Sequence, residues 1–160
     1  MSLGFIWAGW LPIVGNDIDV NSIETHKANI QEETICGDIT TDVIVETIIE
    51  KSQQALKKNP NMPLFVLGGP PCQGFSTANR SRNMEDRRNW LFKAYVNVLS
   101  RIQPSGFVFE NVTGVLNFQQ GRFFEMIRRD LSRSVESIRT LKLNCAQYGI
   151  PQRRERVIII

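Results

Sequence analysis

The chain has 160 residues, 42% of them hydrophobic, which is one domain's worth with enough apolar material for a real core. No apolar run approaches the roughly 20 residues of a membrane span, and no basic segment leads into a hydrophobic stretch at the N-terminus, so the expectation is a soluble globular protein of the cytoplasm. Three cysteines, Cys36, Cys72 and Cys145, show no C-x-x-C spacing and indicate neither a disulfide framework nor a zinc site; the single histidine, His26, sits among polar residues and reads as a surface residue.

Pro12 to Asp19 reads as a short apolar strand ending in acids, and Val20 to Ile30 as a polar helix capped by Asn21 or Ser22. Thr34-Ile35-Cys36-Gly37-Asp38 is a second short strand that again ends in an acid. Thr41 or Asp42 caps a helix running to Lys58, with apolar residues at 44, 45, 48, 49 and 56, and Asn59-Pro60-Asn61 stops it. Leu64 to Leu67 is the third strand, and it feeds directly into Gly68-Gly69-Pro70-Pro71-Cys72-Gln73-Gly74-Phe75-Ser76. A polar, arginine-rich stretch then leads into a helix from Asn89 to Ile102, and Gly106 to Phe109 is the fourth strand. Asn111 to Gln120 reads as a loop or short helix, and Gly121 to Arg133 as an amphipathic helix. Ser137 to Leu143 and Arg156 to Ile160 are two β segments joined by a Gly/Pro loop.

Strands alternating with helices point to an α/β domain with a doubly wound, mostly parallel sheet. The opening Met1-Ser2-Leu3-Gly4-Phe5 fits no first strand, and the chain stops inside the apolar Val157 to Ile160, so it reads as part of a larger catalytic domain.

The net charge of +3 conceals a division. Residues 1–79 hold 4 Lys or Arg against 9 Asp or Glu, whereas residues 80–160 hold 15 against 7. All 13 arginines fall in the second half, and arginine suits bidentate contact with phosphates and base edges, which makes nucleic acid a plausible partner. Arg128-Arg129-Asp130 with Arg133, by contrast, reads as an ordinary solvated helix face.

Open α/β sheets bind ligands outside the carboxyl ends of their strands, so the loop after Leu67 places Cys72 where chemistry is done. A cysteine more often just packs. A packing cysteine has no need of two prolines that stiffen the approach, of glycines at 68, 69 and 74, or of hydrogen-bonding neighbours in Gln73 and Ser76, and these favour a nucleophile.

Three motifs at strand ends then line up: Pro70-Pro71-Cys72-Gln73-Gly74-Phe75-Ser76, Glu110-Asn111-Val112 and Gln152-Arg153-Arg154-Glu155-Arg156. In that order and spacing the chain resembles the cytosine-5 DNA methyltransferases over nearly its whole length. The resemblance implies a Rossmann-like, S-adenosylmethionine-dependent methyltransferase fold, with a cofactor half over residues 1–67 and a catalytic, DNA-facing half over residues 68–160. It implies that Cys72 adds to C6 of a cytosine flipped out of double-stranded DNA, that Glu110 hydrogen-bonds N3 and the 4-amino group, and that Arg156 lies near O2 with Arg154 and Gln152 shaping the pocket. Gln73, Ser76 and Asn111 join the substrate-binding set, with Ser76 opening a polar loop from Thr77 to Arg88 that closes over the base. For S-adenosylmethionine it implies Asp17 on the ribose hydroxyls, Ile18 on adenine, Asp38 and Ile39 at the adenine amino group, and Pro71 and Leu91 beside the methionine end, with Asn89 and Asp86 in the matching motif.

The family's opening strand and glycine-rich loop, and its target-recognition domain, have no counterpart in these residues. The first strand belongs between the strands ending at Asp17 and Cys72, so the expectation is a slot there, filled by another polypeptide segment. Two alternatives remain open at this level. One is a tRNA cytosine-5 methyltransferase, although that branch carries Pro-Phe-Thr where this chain has Gly74-Phe75-Ser76. The other is a truncated, non-catalytic homologue that binds nucleic acid.

Overall fold

The computed structural model describes residues 1–30, 33–71 and 90–160. Its elements run α1 (Ser2–Trp7), β1 (Val14–Asp17), α2 (Val20–Asn29), β2 (Glu33–Cys36), α3 (Asp42–Lys58), β3 (Phe65–Gly68), α4 (Leu91–Ile102), β4 (Gly106–Val112), α5 (Arg122–Leu131), β5 (Thr140–Asn144) and β6 (Glu155–Ile159), with 3-10 turns at Thr113–Leu116, Phe118–Gly121 and Cys145–Tyr148. The α/β class expected from the sequence is the one observed.

β1 and β2 pair in parallel, from Val14 opposite Glu33 to Asp17 opposite Cys36. The second sheet has the order β3-β4-β6-β5. In it β3 and β4 are parallel, and β6 runs antiparallel to both of its neighbours, so it alone is reversed. Among the described residues no ladder joins β1 to β3. The two sheets are tied instead by an apolar cluster in which Val45, Ile48 and Ile49 of α3 and Val98 of α4 receive Val14 and Ile35 from one sheet and Val66 from the other.

β4 shows how the larger core is organised. Its residues alternate, with Phe107, Phe109 and Asn111 buried and Val108 and Glu110 half-buried on the opposite face. The phenylalanines join Phe92 and Leu99 of α4, Phe123, Ile127 and Leu131 of α5, and Val157 and Ile159 of β6. Each large side chain removed from water there is worth roughly 1.5–3 kcal/mol. The outer face of α5 is bound up in ion pairs, Arg128 with Glu125 at 3.2 Å and both Arg129 and Arg133 with Asp130; Arg129 and Arg133 are solvated as expected, whereas Arg128 and Asp130 are half-buried.

Three local readings need correction. The fourth strand does not stop at Phe109: it continues through Glu110 and Asn111 to Val112, because β6 lies alongside and pairs Val112 with Arg156. Neither Glu nor Asn favours strands, and the partner strand overrides that preference. α2 is capped by Asp19, whose carboxylate accepts from the backbone N–H groups of Asn21 and Ser22, rather than by Asn21 or Ser22 themselves. The opening segment, for which no element was expected, forms the short helix α1, with no buried residue, and is attached by edge-to-face contacts from Phe5 to Trp10 and from Trp10 to Phe65.

Candidate active site

The carboxyl ends of β3 and β4, with the adjoining start of β6, bring together residues far apart in sequence. Arg156 Nε donates to Glu110 Oε1 at 2.7 Å, and Arg156 Nη1 donates to the Glu155 carbonyl at 2.8 Å. The Glu110 and Arg156 side chains are 27% and 23% exposed, open enough to meet a ligand yet covered enough to hold one geometry. The chain leaving β3 runs directly beside this pair. A Cβ placed on Gly69 would stand 3.1 Å from Glu110 Oε2, so only glycine leaves the carboxylate its present room. At the neighbouring Gly68 a Cβ would fall into the ring of Tyr95, so the glycine doublet is demanded twice, by two different side chains.

Asn111 lies on the opposite face of β4 from Glu110. It is 4% exposed, and its side-chain amide donates to the Pro70 carbonyl at 3.2 Å. This residue, expected among those that bind substrate, is placed to hold the proline segment against β4. The bonded segment continues to Pro71, which is exposed. Cys72, Gln73, Ser76, Asp86 and Asn89 lie outside the described residues.

Arg154, Arg153 and Gln152 are exposed on the connection from β5 to β6. The base of that connection is stapled by Asn144, whose Oδ1 accepts from the backbone N–H groups of Ala146 and Arg154, and by the Cys145 N–H donating to the Arg154 carbonyl. The Arg154 side chain has no acidic partner among the described residues. Of the arginines named from the sequence, the structure brings Arg156 to Glu110 and leaves Arg154 turned to solvent.

The acidic residues form a second group, at the carboxyl ends of β1 and β2. Asp17 ends β1 opposite Cys36, and the Gly37 N–H donates to the Asp17 carbonyl at 2.9 Å, which ties the two strand ends together. Asp17 Oδ1 accepts from the Asp19 N–H. Asp38 Oδ1 accepts from both the backbone N–H and the hydroxyl of Thr40, at 2.9 and 2.8 Å, and these two bonds hold the Asp38 carboxyl below its usual range. Ile18 is 67% exposed beside them, whereas Ile39 is half-buried against the α3 cluster. Leu91 is half-buried at the start of α4.

Sequence reasoning missed Asn16. Its side-chain nitrogen spends both of its protons on the other strand, donating to the Ile35 and Gly37 carbonyls at 3.0 Å each, and so fixes the turn that presents Asp38. An asparagine inside a short apolar strand was the available signal. It also missed Thr40, whose role follows from the conformation of the turn.

The exposed Asp17 and Asp38 carboxylates, without a basic partner among the described residues, and the exposed apolar Ile18 that follows Asp17 make a set of two acceptors and one apolar surface. That chemistry fits a nucleoside: hydroxyls on one acceptor, an amino group on the other and a planar base on the isoleucine. Among the described residues no group of three His, Cys, Asp or Glu could hold a metal ion, and no helix is long and apolar enough to cross a membrane.

The model of one protein family, C-5 cytosine-specific DNA methylase, matches residues 1–160. The Type II methyltransferase M.AquIA of Picosynechococcus sp. is 34% identical over 169 residues, covering 100% of this chain and 66% of that protein. The Type II methyltransferase M.AgeI of Thalassovita gelatinovora is 33% identical over 157 residues, covering 98% of this chain and 35% of that protein. This chain therefore spans between about one third and two thirds of the length of these two relatives. Among solved structures, the Dnmt2 methyltransferase of S. pombe superposes with a TM-score of 0.63 at 20% identity, over 92% of this chain and 42% of that one, a likeness that bears on the fold.

Proposed function

Since the chain belongs to the C-5 cytosine-specific DNA methylase family, we propose that it forms the catalytic core of an enzyme that methylates C5 of cytosine in double-stranded DNA, in the setting of a restriction-modification system. The observation that carries this reading is the Glu110–Arg156 pair at the carboxyl end of β4, with Gly69 laid against the carboxylate. The names of the relatives, Type II methyltransferases, support the restriction-modification setting.

In this reading the Cys72 thiolate adds to C6 of a flipped cytosine, and the electron pair displaced onto the ring is met by Glu110, which hydrogen-bonds or protonates N3. Arg156 does two things. Its Nε holds Glu110 in one orientation, and its remaining donors face O2 of the base. Once C5 carries the methyl group, loss of its proton to a base lets the C6–S bond break, which regenerates the thiolate. S-adenosylmethionine, when bound, supplies the electrophilic methyl group that C5 takes. Asp17 and Asp38 hold its ribose hydroxyls and adenine amino group, Ile18 covers the adenine face, and Ile39, Pro71, Leu91 and Asn89 complete that side. Gln73, Ser76, Gln152 and Arg154 contact the DNA or the base, whereas Asn111 acts by fixing Pro70 two residues ahead of Cys72. A further polypeptide segment completes the cofactor side and reads the target sequence.

Covalent trapping tests this. DNA containing 5-fluorocytosine, incubated with labelled S-adenosylmethionine and the protein, alone and with a fragment supplying the family's remaining segments, should give a stable adduct that Cys72→Ala and Glu110→Gln both prevent. A Cys72-dependent adduct with tRNA alone would move the substrate to RNA. DNA binding without any adduct would leave a non-catalytic homologue.

A further inference from the structure

Tyr95 has no part in the chemistry described above, yet it is in contact with both strands that deliver the site. It sits on α4, is 8% exposed, and its hydroxyl faces two carbonyl oxygens at once, Val66 of β3 at 2.9 Å and Val108 of β4 at 3.2 Å. A phenol has one proton, so it is shared between the two strands. The ring is pinned edge-to-face against Phe107 and Phe109, with centroids 6.3 and 5.6 Å away, and it fills the space that a side chain at Gly68 would need.

These contacts come just before the functional ends of both strands. Val108 precedes Glu110 by two residues, and Val66 precedes Gly69 by three. Gly69 is in turn the residue packed against Glu110 Oε2. We infer that Tyr95 is a positioning residue for Glu110: its hydroxyl clasps β3 to β4 from beneath and so sets the distance between the Gly69 backbone and the carboxylate. The catalytic consequence rests on the proposed function; the clasp itself does not. Burial drives the phenol pKa well above its usual range, so the hydroxyl keeps its proton and remains a donor throughout the working pH range. A phenylalanine would fill the same space and keep the ring contacts, but it would leave the carbonyls of Val66 and Val108 without this donor.

Tyr95→Phe in the unmutated background, with Phe92→Leu as a packing control on the same helix, tests the inference by amide hydrogen exchange and by steady-state methyl transfer. The expected result is exchange that rises about fivefold to tenfold at Gly68, Gly69 and Glu110 to Val112, while Thr140 to Leu143 of β5 stay unchanged. The kcat should fall about tenfold, with the KM for S-adenosylmethionine and for DNA within about twofold, because a displaced carboxylate slows chemistry without weakening binding. Phe92→Leu should lower stability without that local pattern or that split. Exchange that is unchanged at those amides, or raised equally throughout the sheet, overturns the inference, as does an unchanged kcat. Transfer is measured with the family's remaining segments added; should the unmutated protein transfer no methyl group even then, the proposed function fails, and the exchange pattern by itself decides on Tyr95.

Discussion

Glu110 and Arg156 meet diagonally across the β4–β6 ladder. Arg156 stands opposite Val112 and Glu110 opposite Ile158, and the long guanidinium arm reaches back two residues to close a 2.7 Å hydrogen bond. Antiparallel pairing puts both side chains on one face, away from the phenylalanine core, so the charged pair is kept at the rim where a ligand can reach it. The pair is formed by residues 46 positions apart.

Glu110→Gln keeps the shape of the side chain and removes its charge. Under the proposed function, methyl transfer should fall by about 10²–10⁴-fold. Stability should change by no more than about 1 kcal/mol, since both partners of the pair are about one quarter exposed and solvent screens the lost attraction. Arg156→Lys should resemble the glutamine variant in rate, because an ammonium cannot hold Glu110 and donate towards the base in the planar fork of a guanidinium. Single-turnover transfer and urea denaturation check the two halves of this prediction.

Gly68→Ala and Gly69→Ala should fail differently. At Gly68 the new methyl group meets the buried Tyr95 ring, and the expected cost is about 1–3 kcal/mol of stability. At Gly69 the obstacle is the far end of the Glu110 side chain, 3.1 Å away, which has to shift by only a few tenths of an ångström against its bond to Arg156. Stability should then drop by less than about 0.5 kcal/mol, while transfer falls about 10–100-fold as the carboxylate is displaced. Thermal melts together with kcat measurements separate the two.

Thr40→Val removes one of the two donors that hold the Asp38 carboxyl below its usual range. The Asp38 titration should move upward, towards an ordinary aspartate, in a carboxyl ¹³C NMR titration. In the unmutated protein the lowered pKa contributes stability that is present above the unfolded value, near pH 4, and is lost as pH falls through the folded value. Under the proposed function, affinity for S-adenosylmethionine should persist to lower pH in the unmutated protein than in Thr40→Val, measured by calorimetry.

Tyr95 makes the fold sensitive to alkali. An unfolded tyrosine loses its proton near pH 10, whereas burial raises the folded value far above that. Between the two the folded state keeps a proton that the unfolded state has lost. This contribution to stability is therefore complete below about pH 10 and declines above it, by up to about 1.4 kcal/mol per pH unit. Denaturation of the unmutated protein and of Tyr95→Phe from about pH 9 to about pH 11.5 should show this slope in the first and its loss in the second.

Much of the fold was legible because it is local. The apolar strand of Gly106 to Phe109, the helical spacing of Val45, Ile48 and Ile49, and the strand of Leu64 to Leu67 running into Gly68, Gly69, Pro70 and Pro71 are carried by neighbours in the chain. The end of β4 was not legible, because the strand reads as stopping at Phe109, and Asn111 as loop, until β6 lies beside them. Nor was α1, which buries nothing and is held to β3 through Trp10.

At the candidate site the same division holds residue by residue. Glu110, Arg156, Asp17 and Asp38 could be named from their motifs, since residue type and position at a strand end are written along the chain. That Arg156 orients Glu110 while Arg154 faces solvent, and that Asn111 turns inward to Pro70, followed only from the assembled sheet. Asn16 and Tyr95 belong to the same class, each bonding to carbonyls of a neighbouring strand. The α/β class, the family and the chemical groups available could be read along the chain, because periodicity and motif spacing are properties of consecutive residues. The tertiary structure decided which of those groups touch and which merely hold others in place, because such contacts join residues 13 to 46 positions apart and exist only once strands and helices have packed.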